Sequence, residues 1–350
     1  MRVTIEKLVH GGSGMAAHEG RKVFVPFSAP GDVVEVEIVA EHPGYLEAEL
    51  LAIVEPAPCR TAPRCPVFGV CGGCQWQHIS YEAQLEWKGR ILAETLARVG
   101  KIDDPPVLRA LPSPMQWNYR DRMQLHVDSR GRVGYYRRGS KEVVEFEECA
   151  IAAEALNREL RERRGEISRR DRGIALRAHR GEGFSQINPG QNENLRALVC
   201  EWLGQVPHSS VLELHAGSGN FTFALARVAG SVIATEIDGR AVALAARAQE
   251  RERACNVQFH RMDDARAVIR FGRFAEAVIL DPPRKGCPEA IGAIAEALPR
   301  TVLYVSCDPA TLSRDLRSLS VAGYRLIRAM PVDMFPQTFH IEALAMLSRS

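Results

Sequence analysis

From about residue 184 onward, seven short apolar runs, 211–214, 231–237, 257–261, 277–280, 302–306, 324–329 and 340–347, alternate with helical patterns. Strands separated by helices pack back onto one another as parallel crossovers, so this repetition predicts an α/β fold with a doubly wound, seven-stranded sheet. No helical pattern separates the last two runs, which predicts an antiparallel strand at that edge of the sheet. Sheets of this kind bind ligands in the crevice beyond the carboxyl ends of their strands. The residues that follow each run are therefore the first candidates for function.

Two runs end in polar chemistry. Val302 to Ser306 delivers Cys307 to the turn Asp308-Pro309, and Ala277 to Leu280 delivers Asp281 to Pro282-Pro283-Arg284. A strand-end thiol beside a strand-end carboxylate is a candidate nucleophile in a shared cleft. The run 211–214 leads into His215-Ala216-Gly217-Ser218-Gly219-Asn220, a Gly-x-Gly turn before a helix. The next strand ends in Glu236-Ile237-Asp238, roughly 20 residues on, the spacing that lets a carboxylate hold a ribose hydroxyl. An adenosine-type ligand is implied. Only two glycines of the dinucleotide fingerprint are present and no Walker lysine follows, so S-adenosylmethionine, which has no phosphates to cradle, fits better than a nicotinamide or a nucleoside triphosphate.

The 350 residues exceed one typical domain. Short alternating runs over 1–55, broken at Gly11 to Met15 and Ala29 to Asp32, predict a small β-barrel of the oligonucleotide-binding type. Residues 56–183 hold a cysteine loop, a helix over 81–99 with Leu85, Ile91, Leu92 and Leu96 on its apolar side, and strands over 122–127, 132–137 and 142–146. Residues 184–350 form the α/β domain, against which helix 81–99 is a candidate to pack. Between Arg120 and Arg180 stand sixteen Arg or Lys against eleven Asp or Glu, although the whole chain carries only +2. That segment is the candidate phosphate-facing surface. No apolar run is long enough to span a bilayer and the first residues lack a signal-peptide core, so a cytoplasmic protein that avoids membranes is expected, and a monomer.

Nine cysteines in such a chain argue against a disulfide framework. Cys65, Cys71 and Cys74 form C-x5-C-x2-C, and Cys149 can supply a distant fourth ligand. Spacing leaves iron-sulfur, zinc and no metal all open, and Cys59 is a nearby alternative thiol.

Together these residues give the chain a resemblance to the RNA (uracil-5-)-methyltransferases, most closely the 23S rRNA branch with an N-terminal TRAM domain and a 4Fe-4S cluster. The resemblance rests on the barrel, the four cysteines, Phe184-x-Gln186-x-Asn188, Glu213 to Phe221, Asp281-Pro282-Pro283-Arg284-x-Gly286, Ser306-Cys307-x-Pro309-x-Thr311-Leu312-x-Arg314-Asp315 and Phe339-His340-Ile341-Glu342. It implies a class I methyltransferase sheet, Cys307 as nucleophile and Glu342 as general base. It also implies S-adenosylmethionine on Gln186, His215, Asn220, Glu236 and Asp281, a 4Fe-4S cluster on Cys65, Cys71, Cys74 and Cys149, and an RNA substrate, 23S rRNA before tRNA. His215, Ala216 and Asp308 depart from the family pattern, and Asp308 would oppose a thiolate at Cys307 if the two charges were close. A nicotinamide oxidoreductase, or an inactive RNA-binding protein or chaperone, is the competing reading.

Overall fold

A computed structural model of the chain describes residues 1–167, 173–178, 186–205 and 210–349. The chain divides into two compact units: Met1–Ile91, Ser113–Arg180 and Phe335–His340 form the first, and Leu92–Pro112, Gly181–Met334 and Ile341–Ser350 the second.

The first unit opens with β1 (Arg2–Thr4), β2 (Lys7–Leu8), β3 (Gly14–His18), β4 (Arg21–Val25), β5 (Val33–His42) and β6 (Tyr45–Glu55), a sheet in the order β1-β5-β6-β4-β3-β2. Alternate residues Val3, Ile5, Val23, Val25, Val34, Val36, Leu46 and Ala48 meet in its core. The alternating residues 2–8 form two strands, because Ile5 donates to the Asp32 carbonyl while Glu6 donates to Met15, so the chain changes partner between them. Gly14 and Met15, expected in a turn, begin β3 instead. Its Ala16 and Ala17 have little strand propensity, and their place is set by pairing with Val23 and Lys22 of β4.

The cysteine loop and α1 (Tyr81–Arg98) follow, then β7 (Arg122–Val127), β8 (Val133–Tyr136), β9 (Val143–Glu145), α2 (Glu154–Arg163) and β10 (Gly173–Arg177). The sheet β10-β7-β8-β9 buries Met123, Leu125, Ile174 and Leu176 against Leu156 and Leu160 of α2. Helix α1 matches its expected span, but its first half buries Gln84, Trp87 and Lys88, while Leu85 is only half-buried. In the arginine-rich segment, Arg132, Arg137, Arg161, Arg163 and Arg164 are paired with Asp128, Glu142, Glu148, Glu159 and Glu145. Arg169, Arg170, Arg172 and Arg180 lie outside the described residues.

The second unit contains α3 (Pro189–Gly204), β11 (Ser210–Leu214), α4 (Thr222–Leu225), β12 (Ser231–Glu236), α5 (Gly239–Glu252), β13 (Val257–Arg261), α6 (Asp264–Phe271), β14 (Ala277–Leu280), α7 (Pro288–Ala297), β15 (Thr301–Ser306), α8 (Pro309–Val321), β16 (Arg325–Val332) and β17 (Glu342–Ser348). Its seven strands run β13-β12-β11-β14-β15-β17-β16. The five from β13 to β15 are parallel, and β17 is antiparallel to both its neighbours, as the missing crossover helix requires. Every residue of β14 and β15 is buried, consistent with helices on both faces. The chain winds outward from β11 through β12 to β13 and then returns to β14 on the other side of β11. The topological switch point therefore lies between β11 and β14.

Two ends of the sheet differ from the sequence expectation. Strand β16 continues three residues past 329, because its outer edge is covered by segment 106–111: Ala329 donates to the Pro106 carbonyl, and Leu108 and Leu111 donate to Ala329 and Pro331. Strand β17 begins at Glu342 rather than 340, because Phe335–His340 belongs to the first unit. No helix among the described residues is long and apolar enough to cross a membrane.

Buried Asp32 closes the N-terminal sheet. It accepts from the Ala29 and Ala57 amides at 2.5 and 2.8 Å and from Arg60 Nε and Nη2 at 2.8 and 2.7 Å. Burial pushes its pKa up, but Arg60 and the two amides outweigh that and hold it below the usual 3.8. Stability from a depressed carboxyl is present above its unfolded pKa and is lost as pH falls through the folded one. Asp32→Asn is expected to destabilise the N-terminal sheet by roughly 3 kcal/mol, since it strands Arg60, and to blunt acid unfolding below pH 3.8 in thermal melts followed against pH.

Candidate active site and cysteine cavity

Three strand ends assemble the candidate site in the second unit. The β15–β17 register pairs Ser306 with Ala343, so one further step sets Cys307 opposite Glu342. The β14–β15 register pairs Leu280 with Tyr304, which brings Asp281 to the same edge. On the other side of the switch point, β11 pairs Leu214 with Thr235 of β12, placing His215 beside Glu236. Antiparallel β17 is thus the strand that returns a residue from its start to the edge where the parallel strands finish.

Local chemistry explains why each strand stops there. Two prolines without amide hydrogens follow Asp281 and end the β14 ladder. After Cys307, Asp308 caps α8 by accepting from the Thr311 amide at 2.8 Å, with Pro309 in the first turn. Glu342 and Asp281 are acids that act on Cys307, and Asp308 Oδ1 is engaged by the helix amide. Gly286 has φ +76°, and a Cβ there would come within 2.6 Å of Asp315 and Thr311, so the loop after β14 can lie close on α8. Thr311 Oγ1 donates to the Arg284 carbonyl and Arg314 Nη2 to Lys285, both at 3.0 Å. These bonds hold Arg284 at the rim.

The electrostatics are opposed in sign. Burial pushes the Cys307 thiol up to about 11, Glu342 and Asp281 add to the rise, and the Arg284 guanidinium works against it by charge and hydrogen bond. Glu342 is 2% exposed, and burial, reinforced by Asp281, holds its carboxyl well above the usual range, with Arg284 again opposing. Asp281 is raised by desolvation and eased by His215. Glu213, buried on β11, accepts from Thr222 Oγ1 at 2.5 Å and is pushed up to about 8, chiefly by burial. A carboxyl kept protonated near neutral pH is ready to exchange a proton.

Around the Gly-x-Gly turn, Gly217 and Gly219 have φ of +56° and +98°, and His215 itself is left-handed at +57°. Glu236 accepts from the Gly217 and Asp238 amides at 3.0 and 2.8 Å. His215 Nε2 lies 3.1 Å from Asp264 Oδ2, and His215 holds the Asp264 carboxyl below its usual range. Cys287 joins these two in the one group of three His, Cys or Asp ligand atoms within 4.8 Å among the described residues. Asn220 exchanges two hydrogen bonds with Asn192 of α3, at 2.8 and 3.1 Å. Gln186 is half-buried just before Asn188, the α3 N-cap, and Phe184 lies outside the described residues. Sequence reasoning did not single out Arg284, Asn192 or Asp264. Arg284 stood inside a quoted motif, whereas nothing local marked Asn192.

In the first unit, Cys65, Cys71, Cys74 and Cys149 line one cavity with Arg120, Tyr135 and Phe146; Cys59 is not among its walls. The loop is anchored by Gly72, which donates to the Tyr136 carbonyl, and by Gln77 Oε1, which accepts from the Cys65 amide. Asn157 of α2, buried and missed from sequence, brackets Cys149 by accepting from its amide and donating to its carbonyl. Burial pushes Cys71 up to about 11 and Cys74 to about 12, and the neighbouring cysteines add to both. These sulfurs form no group of three within 4.8 Å. One tetrahedral zinc, with Zn–S about 2.3 Å, would need edges of about 3.8 Å.

Comparison with known proteins matches residues 155–350 to the tRNA (Uracil-5-)-methyltransferase family and residues 1–59 to the TRAM domain of tRNA (uracil(54)-C(5))-methyltransferase. The chain belongs to the RNA uracil-5-methyltransferase family. It is 34% identical to an RNA methyltransferase of Bdellovibrio bacteriovorus, over 99% of this chain and 94% of that protein. It is 30% identical to the 23S rRNA (uracil(1939)-C(5))-methyltransferase RlmD of Pseudomonas fluorescens, over 100% and 94%. The fold is that of Pyrococcus abyssi tRNA (uracil-54, C5)-methyltransferase, solved with S-adenosyl-L-homocysteine, at a TM-score of 0.77, 24% identity and 99% coverage of both chains. The seven-stranded sheet is thus a class I methyltransferase sheet, and the protein is an S-adenosylmethionine-dependent RNA methyltransferase with an N-terminal TRAM domain.

The opposed charges at Cys307 make a test that needs no substrate. Alkylation of the Cys307 peptide, followed by mass spectrometry across pH, is expected to shift to higher pH in Arg284→Gln and to lower pH in Glu342→Gln, on either side of a midpoint of about 11.

Proposed function

We propose that this methyltransferase modifies carbon 5 of a specific uridine through a covalent bond to Cys307, with Glu342 as the base. The observation that carries the reading is the strand register that sets Cys307 opposite Glu342. Carbon 5 of uracil is a weak nucleophile. Addition of the Cys307 thiolate to carbon 6 moves the ring π electrons toward carbon 5, which can then accept a methyl group. Glu342 takes the remaining carbon 5 proton, the carbon 5–carbon 6 double bond re-forms, and the sulfur leaves as thiolate. Arg284 steadies that thiolate at both ends of the cycle. A carboxylate whose pKa burial holds well above its usual range is a stronger base for this proton transfer.

Gln186, His215, Asn220, Glu236 and Asp281 would hold S-adenosylmethionine, which supplies an electrophilic methyl group when bound. Their support is the position of His215, Glu236 and Asp281 at the ends of the adjacent strands β11, β12 and β14, with Asn220 in the turn after β11. The target base must leave its stack to reach such an edge, and the N-terminal sheet serves RNA affinity rather than chemistry. Cys65, Cys71, Cys74 and Cys149 would hold a 4Fe-4S cluster that ties the loop to the Cys149 turn. The shared cavity, in which no three of the sulfurs lie within 4.8 Å of one another, supports a cluster over one zinc ion.

For the substrate we favour 23S rRNA, supported by the full-length similarity to the Pseudomonas fluorescens enzyme. The family model and the Pyrococcus abyssi fold favour a tRNA. Mapping 5-methyluridine in 23S rRNA and tRNA from cells lacking the gene decides between them.

Cys307→Ala is expected to abolish both methylation and adduct formation. Glu342→Gln is expected to stall as a methyl-labelled enzyme–RNA adduct that survives denaturing electrophoresis; normal turnover by Glu342→Gln would remove Glu342 from the mechanism. Anaerobically purified protein should hold about four irons per chain. Cys149→Ser should lose them and Cys59→Ser keep them, whereas stoichiometric zinc in place of iron would overturn the cluster.

A further inference from the structure

The segment Phe335–His340, which runs directly into Ile341-Glu342, is held almost entirely by main-chain carbonyls. Lys88 Nζ donates to the Phe335 carbonyl at 3.1 Å, Tyr119 Oη to Pro336 at 3.0 Å, and the Gln75 and Trp76 amides to Gln337 at 3.1 and 3.0 Å. Gln75 and Trp76 are the two residues after Cys74. Gln84, fully buried, accepts from the Gln337 amide at 2.9 Å and donates to Gln337 Oε1 at 3.0 Å, while also reaching the Trp76 and Ile79 carbonyls at 3.2 and 2.9 Å. Gln337 has φ +69°, a conformation that a non-glycine residue keeps only when its surroundings impose it.

A buried Gln and a buried Lys are expensive to place on a helix. Packing alone would be better served by apolar side chains at those two positions. Lys88 instead bonds Phe335, and Gln84 bonds Gln337 besides Trp76 and Ile79, in a stretch that precedes Glu342 by five to seven positions. Glu342 is itself the first residue of β17, where the ladder pairs it with Val332, and it follows Gln337 by five positions in the chain.

We infer that Gln84, Tyr119 and Lys88 are positioning residues for Glu342: they fix the Phe335–Gln337 backbone and thereby set the carboxylate that removes the carbon 5 proton. This rests on the covalent reading above. It implies that loosening the segment slows proton removal more than thiolate addition or methyl transfer, so the methylated adduct should build up in steady state.

The experiment compares Tyr119→Phe, Gln84→Leu and Glu342→Gln on full-length protein with RNA and methyl-labelled S-adenosylmethionine. Labelled adduct is read on denaturing gels beside turnover and S-adenosylmethionine affinity. Tyr119→Phe removes one hydroxyl and retains the ring, so it decides the matter should Gln84→Leu fail to fold. The expected result is labelled adduct in both positioning variants, with kcat down by about tenfold in Gln84→Leu and cofactor affinity unchanged. Lower turnover without adduct, while Glu342→Gln traps it, would overturn the inference and leave the covalent reading standing. Absence of adduct in Glu342→Gln would overturn the covalent reading, and the inference with it.

Discussion

The pairing of β17 between β15 and β16 is the constraint on which the site depends. A purely parallel sheet delivers only strand ends to its carboxyl edge, and Cys307 and Asp281 arrive that way. Glu342 arrives as a strand start, which requires β17 to run backwards. Shifting that ladder by one residue would turn Glu342 to the opposite face, because side chains alternate along a strand. The burial of every β17 residue from Glu342 to Leu347 makes such a slip costly.

Around that pairing, charge is balanced rather than minimised. Asp281, Glu342 and Glu213 are each raised by burial, and the two nearest to Cys307 also hold its proton on. Arg284 is the counterweight, and it is exposed, so its field is partly screened by water. Excluding water from the edge would strengthen Arg284 and the acids alike.

The first unit uses buried polar side chains to tie distant segments together. Asp32 with Arg60 joins the end of the N-terminal sheet to the chain that leaves it. Asn157 brackets Cys149, and Gln84 and Lys88 secure the segment before β17. Buried hydrogen bonds of this kind contribute little net stability but make misplacement expensive, so they specify position.

Patterns that depend on neighbours in sequence were legible in it. The apolar runs, the Gly-x-Gly turn, the prolines that end β14 and open α8, the cysteine spacing and the strand-end Cys307 and Asp281 all follow from local periodicity and backbone chemistry. So did the antiparallel edge, since a crossover helix was missing between the last two runs. The tertiary structure alone decided which strands pair. It split 2–8 into β1 and β2, made a strand of Gly14–His18, lengthened β16 under segment 106–111, and drew Phe335–His340 into the other unit. It also found work for Arg284, Asn192, Asn157, Gln84 and Lys88. A polar residue on a helix reads as solvent-facing until a partner many residues away is brought against it, and that partner is fixed by chain topology, not by local spacing.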